Sequence, residues 1–423
     1  MPGSSDLFSK CAEFVDVERI KEAGVYPYFR PIQATEGASV VSHGRRRVMI
    51  GSNNYLGLTH HPRVQDAAKR AIDLFGTGCT GSRLLNGNLV LHEELEHELA
   101  RFLGKPAALV FSSGFLSNLG AISALVGRKD VIFSDRENHA SIVEGTRVSF
   151  GETLRFRHND MNDLQRVLSM TRHKYEGAMI IADGVFSMSG EIFNLPRAVE
   201  LAKQYNCRLY LDDAHALGVL GPQGQGTGHH FGLQEQVDIV MGTFSKSFAS
   251  NGGVIAGQQS VIDYIKHKSR PFIFSASMPP AAVATTLECL RICRDEPKHL
   301  EWLHANSNRM HRELAAMGYN TLESQTPIIP LLMGDDFTAF SFAQRLYEKG
   351  IFATPVVKPA VPSGCALIRT SYMATHTSDD LDYVLEVLEE LGHEFGILGG
   401  TERQAVLSSL TRADFGTQIL RHA

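Results

Sequence analysis

The feature that most constrains this chain is an alternation. From residue 46 to about 275, short β-branched apolar runs take turns with amphipathic stretches of helical period. The runs are "AALVFSS", "DVIFSD", "AMIIADG", "CRLYLDD", "VDIVMGT" and "GGVIAG"; among the helical stretches are "LHEELEHELARFLG" and "LPRAVELAKQYN". Strands that are apolar at nearly every position are buried on both faces, and helical crossovers cover those faces. The pattern predicts an α/β fold with a mostly parallel, seven-stranded-type sheet between helices. A chain of 423 residues suits two domains with extensions. The expected division is an N-terminal arm at 1–45, a large domain at 46–290, a smaller C-terminal α/β domain at 291–398 and a tail at 399–423. The stretch 279–318 reads as one long connecting helix, and "TPIIPLLM" and "ALIRTSYM" read as strands of the smaller domain.

Several function classes fall away early. The formal net charge is -5 and no basic run exceeds "GRRR", so the electrostatic footprint of a nucleic-acid binder is missing. No apolar stretch approaches the length of a membrane span. The six cysteines are scattered without a CxxC pair, which suits a reducing cytoplasm, and the expected location is cytoplasmic. "HEELEH" at 92–97 resembles a zinc-protease motif, but its histidines are five apart rather than four, so they do not share a helix face. Charged helix surface is the reading there, and no metal site is expected.

In a parallel sheet, ligands gather at the carboxyl ends of the strands, where loops meet helix N-termini. Four such ends carry polar residues. "FSSGFLSN" starts a helix near Phe115 after small residues, and free N–H groups at such a start bind phosphate, although small residues also make plain structural turns. "SDRENHASIVEG" places His139 above the sheet, where it stacks on a planar ligand or caps the next helix. "LYLDDAHALGVLGPQGQGTG" ends an apolar strand with Asp212, follows it with His215 and runs into a glycine-rich loop. A carboxylate at the end of a buried strand is costly unless it has a task or a partner. "MGTFSKSFASNGG" sets Lys246 among Thr243, Ser245 and Ser247 with no acidic neighbour in sequence. A phosphate nest, a stacking ring, a carboxylate, an imidazole and a lysine together match the needs of pyridoxal 5'-phosphate.

With "SNNYLGL", "GTGCTGSRLLNG", "DGVFSMSGEI", "FSASMPP" and "IRTSYMATHT", the stretches around Gly114, Asp212 and Lys246 make eight ordered motifs. They resemble the α-oxoamine synthases, fold-type I enzymes dependent on pyridoxal phosphate, from about Gly24 to about Gly392. "VYPYFR", "HNDM", "GTFSKSFAS" and "MATHT" are most similar to the bacterial serine palmitoyltransferases within that family. The resemblance implies a decarboxylating condensation of L-serine with palmitoyl-CoA to 3-oxosphinganine, carbon dioxide and CoA, the first step of sphingolipid synthesis. It implies Lys246 as the Schiff-base lysine and proton acceptor, Asp212 as partner of the pyridine nitrogen, His215 at the phenolic oxygen and His139 on the ring. Gly114, Phe115, Ser187, Thr243 and Ser245 would bind the cofactor, and Arg369 would grip the amino-acid carboxylate. A homodimer with shared sites is implied, with Asn54, Tyr55 and Ser277 reaching across subunits, and a lipid-like product leaves room for peripheral membrane contact. Asp213 and Ala360 depart from relatives that carry glutamate and a hydroxyl there. The alternatives are a sister synthase using glycine, alanine or cysteate, a non-catalytic partner subunit lacking the lysine, and an aminotransferase.

Overall fold

A computed structural model describes residues 6–410 of the chain. The expected tail therefore falls partly outside the described residues; its described part holds a helix at Glu402–Ser409.

Three short strands come first: β1 (Ala34–Glu36), β2 (Ser39–Ser42) and β3 (Arg45–Met49). The large sheet takes the next seven. They are β4 (Ala107–Phe111), β5 (Asp130–Asp135), β6 (Glu152–Phe156), β7 (Gly177–Asp183), β8 (Arg208–Asp212), β9 (Ile239–Thr243) and β10 (Gly253–Gly257). The last four are β11 (Ile328–Gly334), β12 (Ile351–Phe352), β13 (Thr354–Val356) and β14 (Ala366–Ser371). The large sheet runs β4-β10-β9-β8-β7-β5-β6, parallel throughout except at β10, which is antiparallel to β4 and β9. This is the fold-type I arrangement.

Alternate residues of each strand enter different cores, as a two-residue period requires. Val131, Phe133, Ile180, Leu209 and Leu211 pack into one, and Ile132, Met179, Ile181 and Tyr210 into the other. Helices on both faces close them, with Leu95 and Leu99 on one side and Ile122 and Ile142 on the other.

Six of the seven strands coincide with the apolar runs. The missed one, β6, is an edge strand with its outer positions exposed, so "ETLRF" carries no apolar signature. The expected single helix at 279–318 is two, Pro280–Asp295 and Lys298–Met317. Pro297 between them has no N–H to continue the ladder and disfavours the helical conformation at Glu296, whose φ is −131° and ψ 72°.

The smaller core gathers Met310, Leu314, β11, β14 and the helix Ser378–Glu394. It also takes in Val48 and Ile50, because β3 pairs in parallel with β12. The end of the expected arm thus joins the C-terminal core, and a boundary at 290 would cut a helix. We propose a division between the large sheet's cores and the smaller core near the break at Pro297, with residues 34–50 counted with the smaller domain. No described helix is long and apolar enough to cross a membrane.

Candidate active site

The carboxyl ends of β5, β7, β8 and β9 and the helix that follows β4 face a common space. After β4, Ser113 caps the helix Gly114–Leu125: its Oγ accepts the N–H of Leu116 at 3.2 Å and its carbonyl that of Ser117 at 3.1 Å. The N–H groups of Gly114 and Phe115 are left at the open end of that helix. Opposite stands Thr243, whose Oγ1 is 3.0 Å from Ser245 Oγ. Gly114 has no room for a side chain there, since a Cβ would lie 2.7 Å from Thr243 Oγ1. Two backbone donors and two hydroxyls around a glycine gap form an anion cradle at a helix N-terminus.

Asp212 ends β8 almost fully buried. Asn118 Nδ2 donates to its Oδ2 at 2.6 Å and the Ala214 N–H to its Oδ1 at 2.9 Å. Asn118 is itself held, accepting from Tyr210 Oη at 2.7 Å and donating to Ser141 Oγ at 2.8 Å. The carboxylate is thus fixed in direction by a side chain from another layer. Asp183 is its neighbour across the β7–β8 ladder. Burial and the charge of Asp212 push Asp183 well above the ordinary carboxylate range, and its Oδ1 is buried without a hydrogen-bond partner. Its Oδ2 accepts the N–H of His139 at 3.1 Å, which ties the His139 loop to β7. His139 Nδ1 accepts from the N–H of Ser141 at 3.2 Å, capping the helix Ala140–Val148 while the rest of the residue stays exposed. Stacking and capping were alternatives for His139; its geometry serves the cap and leaves the ring face available.

Lys246 follows β9 and makes no ion pair among the described residues. Its surroundings are not free of acid: Asp212 and Asp183 both favour its charged form, whereas Arg369 disfavours it. Burial outweighs the carboxylates and lowers its pKa to about 8. The acid-free neighbourhood seen in sequence is therefore corrected in space, since both carboxylates arrive from other strands.

His215 is buried, and burial, with Lys246 and Arg369 adding, lowers its pKa well below the usual histidine value. Its Nδ1 lies 2.8 Å from Tyr55 Oη. Arg369, on β14, completes this side. Its Nε donates to the Ser187 carbonyl at 2.6 Å, and its Nη2 donates to Asn53 Oδ1 at 2.9 Å and reaches Tyr55 Oη at 3.5 Å. Nη1 makes no hydrogen bond among the described residues, so two donors of the fork remain for a ligand.

Lys246, His139, Asp212, His215, Thr243, Ser245, Gly114, Phe115, Ser187, Tyr55 and Arg369 thus come together. Tyr55, expected to reach across subunits, meets His215 and Arg369 within its own chain. Asn54 and Ser277 lie apart from this set, with Asn54 Nδ2 on Thr59 Oγ1 at 3.0 Å and Ser277 Oγ on the Gly81 carbonyl at 3.1 Å. The sequence reading passed over Asn118, Asp183 and Asn53. Asp183 obeys the same rule that found Asp212, a carboxylate at the end of an apolar strand.

The set fits pyridoxal phosphate on this structure's own terms: a glycine-gapped anion cradle, a directed buried carboxylate, an unpaired lysine with lowered pKa, and an open guanidinium edge. Two other clusters carry no such fit. His92 is buried rather than charged surface, its Nδ1 on the Leu89 N–H and its Nε2 on the Met278 carbonyl. His61, Glu296 and His299 bring ligand atoms within 4.8 Å, but Arg63 at 2.6 Å and Lys298 at 2.9 Å already occupy both Glu296 oxygens.

Comparison with known proteins gives the same direction. The family profile for aminotransferase class I and II matches residues 46–388. The chain is 50% identical over 395 residues to a serine palmitoyltransferase of Bacteriovorax stolpii, covering 93% of this chain and 94% of that one. It is 42% identical over 382 residues to an 8-amino-7-oxononanoate synthase of Thermoanaerobacter pseudethanolicus, covering 90% and 97%. A solved variant of serine palmitoyltransferase from S. paucimobilis, with a bound PLP–myriocin aldimine, superposes with a TM-score of 0.90 at 33% identity, over 93% of this chain and all of that one.

Proposed function

This chain belongs to the aminotransferase class I and II family, and from that premise we propose a pyridoxal-phosphate-dependent α-oxoamine synthase that joins L-serine to a long-chain acyl-CoA. The products are 3-oxosphinganine, carbon dioxide and CoA when the acyl group is palmitoyl. The carrying observation is Lys246, unpaired and with its pKa lowered to about 8, between the Asp212 carboxylate and the Arg369 guanidinium. The serine and palmitoyl assignments draw their support from the Bacteriovorax relative. A second reading, a sister synthase with another amino acid and acyl thioester, is favoured by the oxononanoate synthase relative.

Lys246 Nζ would hold the cofactor's aldehyde carbon, the Gly114–Phe115 and Thr243–Ser245 cradle its phosphate, Asp212 its pyridine nitrogen and His215 its phenolic oxygen. Pyridoxal phosphate supplies an electron sink for the bonding pair released at the substrate's Cα. Arg369 receives the amino-acid carboxylate on its free Nη1 edge, which fixes which Cα bond stands over the ring. Once the substrate's amine has displaced it, Lys246 is a free amine that takes the Cα proton on Nζ, a base whose lowered pKa suits conditions near neutrality. The Cα carbon attacks the thioester carbonyl, the C–S bond breaks and CoA leaves as thiolate. The carboxylate departs as carbon dioxide and Cα recovers a proton, which Lys246 would return from Nζ.

We carry a homodimer as part of the reading. Leu84 and Leu85 are 57% and 80% exposed near Gly81, which accepts from Ser277, and Phe274 is 79% exposed. Apolar side chains shown this openly mark association surfaces. Exposed Leu7, Phe8 and Phe14 on the arm support peripheral contact with the membrane that receives the product. The six cysteines are all free thiols, which supports a cytoplasmic setting.

Serine labelled in its carboxyl carbon tests the reaction class. Labelled carbon dioxide and free thiol should appear one for one with palmitoyl-CoA. Thiol release with retention of the label in the organic product would contradict a decarboxylating condensation.

A further inference from the structure

The stretch "HNDM" at 158–161 touches neither cofactor nor substrate groups, yet it forms a dense polar junction outside the site. His158 is nearly buried, with Nδ1 3.0 Å from Asp135 Oδ1 and Nε2 3.1 Å from Glu191 Oε2 and 3.5 Å from Glu137 Oε2. Its ring stands edge-on to Phe186, centroids 4.3 Å apart. Asn159 repeats the bridge: its N–H donates to Asp135 Oδ2 at 2.7 Å and its side chain to the Ile192 carbonyl at 3.0 Å.

These partners belong to two different loops of the site. Asp135 and Glu137 begin the loop after β5 that ends in His139, where Asn138 anchors β7 by accepting the Asp183 N–H at 2.9 Å. Phe186 and Glu191 close the turn after β7, bonded to each other through the backbone at 3.0 Å. That turn carries the Ser187 carbonyl, on which Arg369 Nε rests. One imidazole thus ties the His139 loop to the seat of Arg369. Burial works against its charge, but three carboxylates raise its pKa to about 10, so it is a stable cation at neutral pH.

We propose that His158 is a positioning residue, a cationic brace that fixes the Ser187 turn against the His139 loop and thereby sets Arg369 for the amino-acid carboxylate. The inference rests on Arg369 taking that carboxylate. A buried cation bonded on both ring nitrogens resists displacement, because moving either loop leaves a carboxylate or an imidazolium desolvated and unpaired. His158→Gln keeps one polar contact of the two, and Glu191→Gln keeps the acceptor while removing its charge.

The test uses the holoenzyme. Serine Kd is read from the change in cofactor absorbance on titration, and cofactor Kd, Tm and kcat are measured beside it. For His158→Gln the serine Kd should rise about tenfold with cofactor Kd within about twofold of the parent. Glu191→Gln should move the same quantity in the same direction by less, and it serves as the test where His158→Gln fails to fold. Parallel loss of serine affinity, cofactor affinity and Tm overturns the proposal in favour of a purely structural role, and an unchanged serine Kd overturns it as well. Arg369→Lys separates the two readings. If it leaves serine affinity intact, the assignment of Arg369 fails; if it weakens serine while His158→Gln and Glu191→Gln do not, only the brace fails.

Discussion

At the scale of single residues, Lys246 shows how much a sequence discloses about a site and where it stops. Its chemical type, its place after an apolar strand and its hydroxyl neighbours were legible. Its real electrostatic company was not, because Asp183 and Asp212 approach from β7 and β8, whose lateral order the linear chain does not carry. Asn118 was invisible for the same reason, although it directs Asp212. Lys246→Ala should abolish both the visible absorbance of the purified holoenzyme and turnover; survival of either contradicts the assignment. Titration offers a second check. A lysine lowered to about 8 from an ordinary value of 10.5 loses its proton in the folded state above about pH 8, while the unfolded chain still holds the proton up to about pH 10. Stability of the cofactor-free protein should therefore rise between pH 8 and pH 10 relative to Lys246→Met, by about 2 kcal/mol. Parallel stability curves for the two proteins over that window would show that burial does not shift this lysine.

At the scale of elements, continuous apolar runs exposed six strands of the large sheet, and the edge strand β6 escaped because water covers its outer positions. The Pro297 break was written in the sequence but overridden by helical periodicity on either side. Close packing between elements was not legible. Gly253 opens β10 where a Cβ would lie 2.6 Å from Ser117 Oγ, 2.8 Å from Gly114 Cα and 2.9 Å from the Gly242 carbonyl. Two of these are backbone atoms that have no rotamer to yield. Gly253→Ala should cost about 1–3 kcal/mol of unfolding free energy and weaken cofactor binding, since the displaced helix start carries the Gly114 and Phe115 N–H groups. A denaturation midpoint and a cofactor Kd equal to the parent's would refute that packing.

At the scale of the whole molecule, the arm and the C-terminal part fold together: β3 joins the C-terminal core through a pairing with β12 that lies some three hundred residues away in sequence. The open apolar side chains near Gly81 belong to this scale as well. Leu85→Glu should shift the protein from dimer to monomer in sedimentation and lower turnover with it; a fully active monomer would contradict shared sites. The central claim concerns which two substrates meet over Lys246. The most direct measurement is kcat/KM for thiol release across serine, glycine, alanine and cysteate, each paired with short- and long-chain acyl-CoAs. Serine with a long chain should exceed every other pair, whereas a clear preference for glycine or alanine with a shorter acyl group would contradict the proposed reaction.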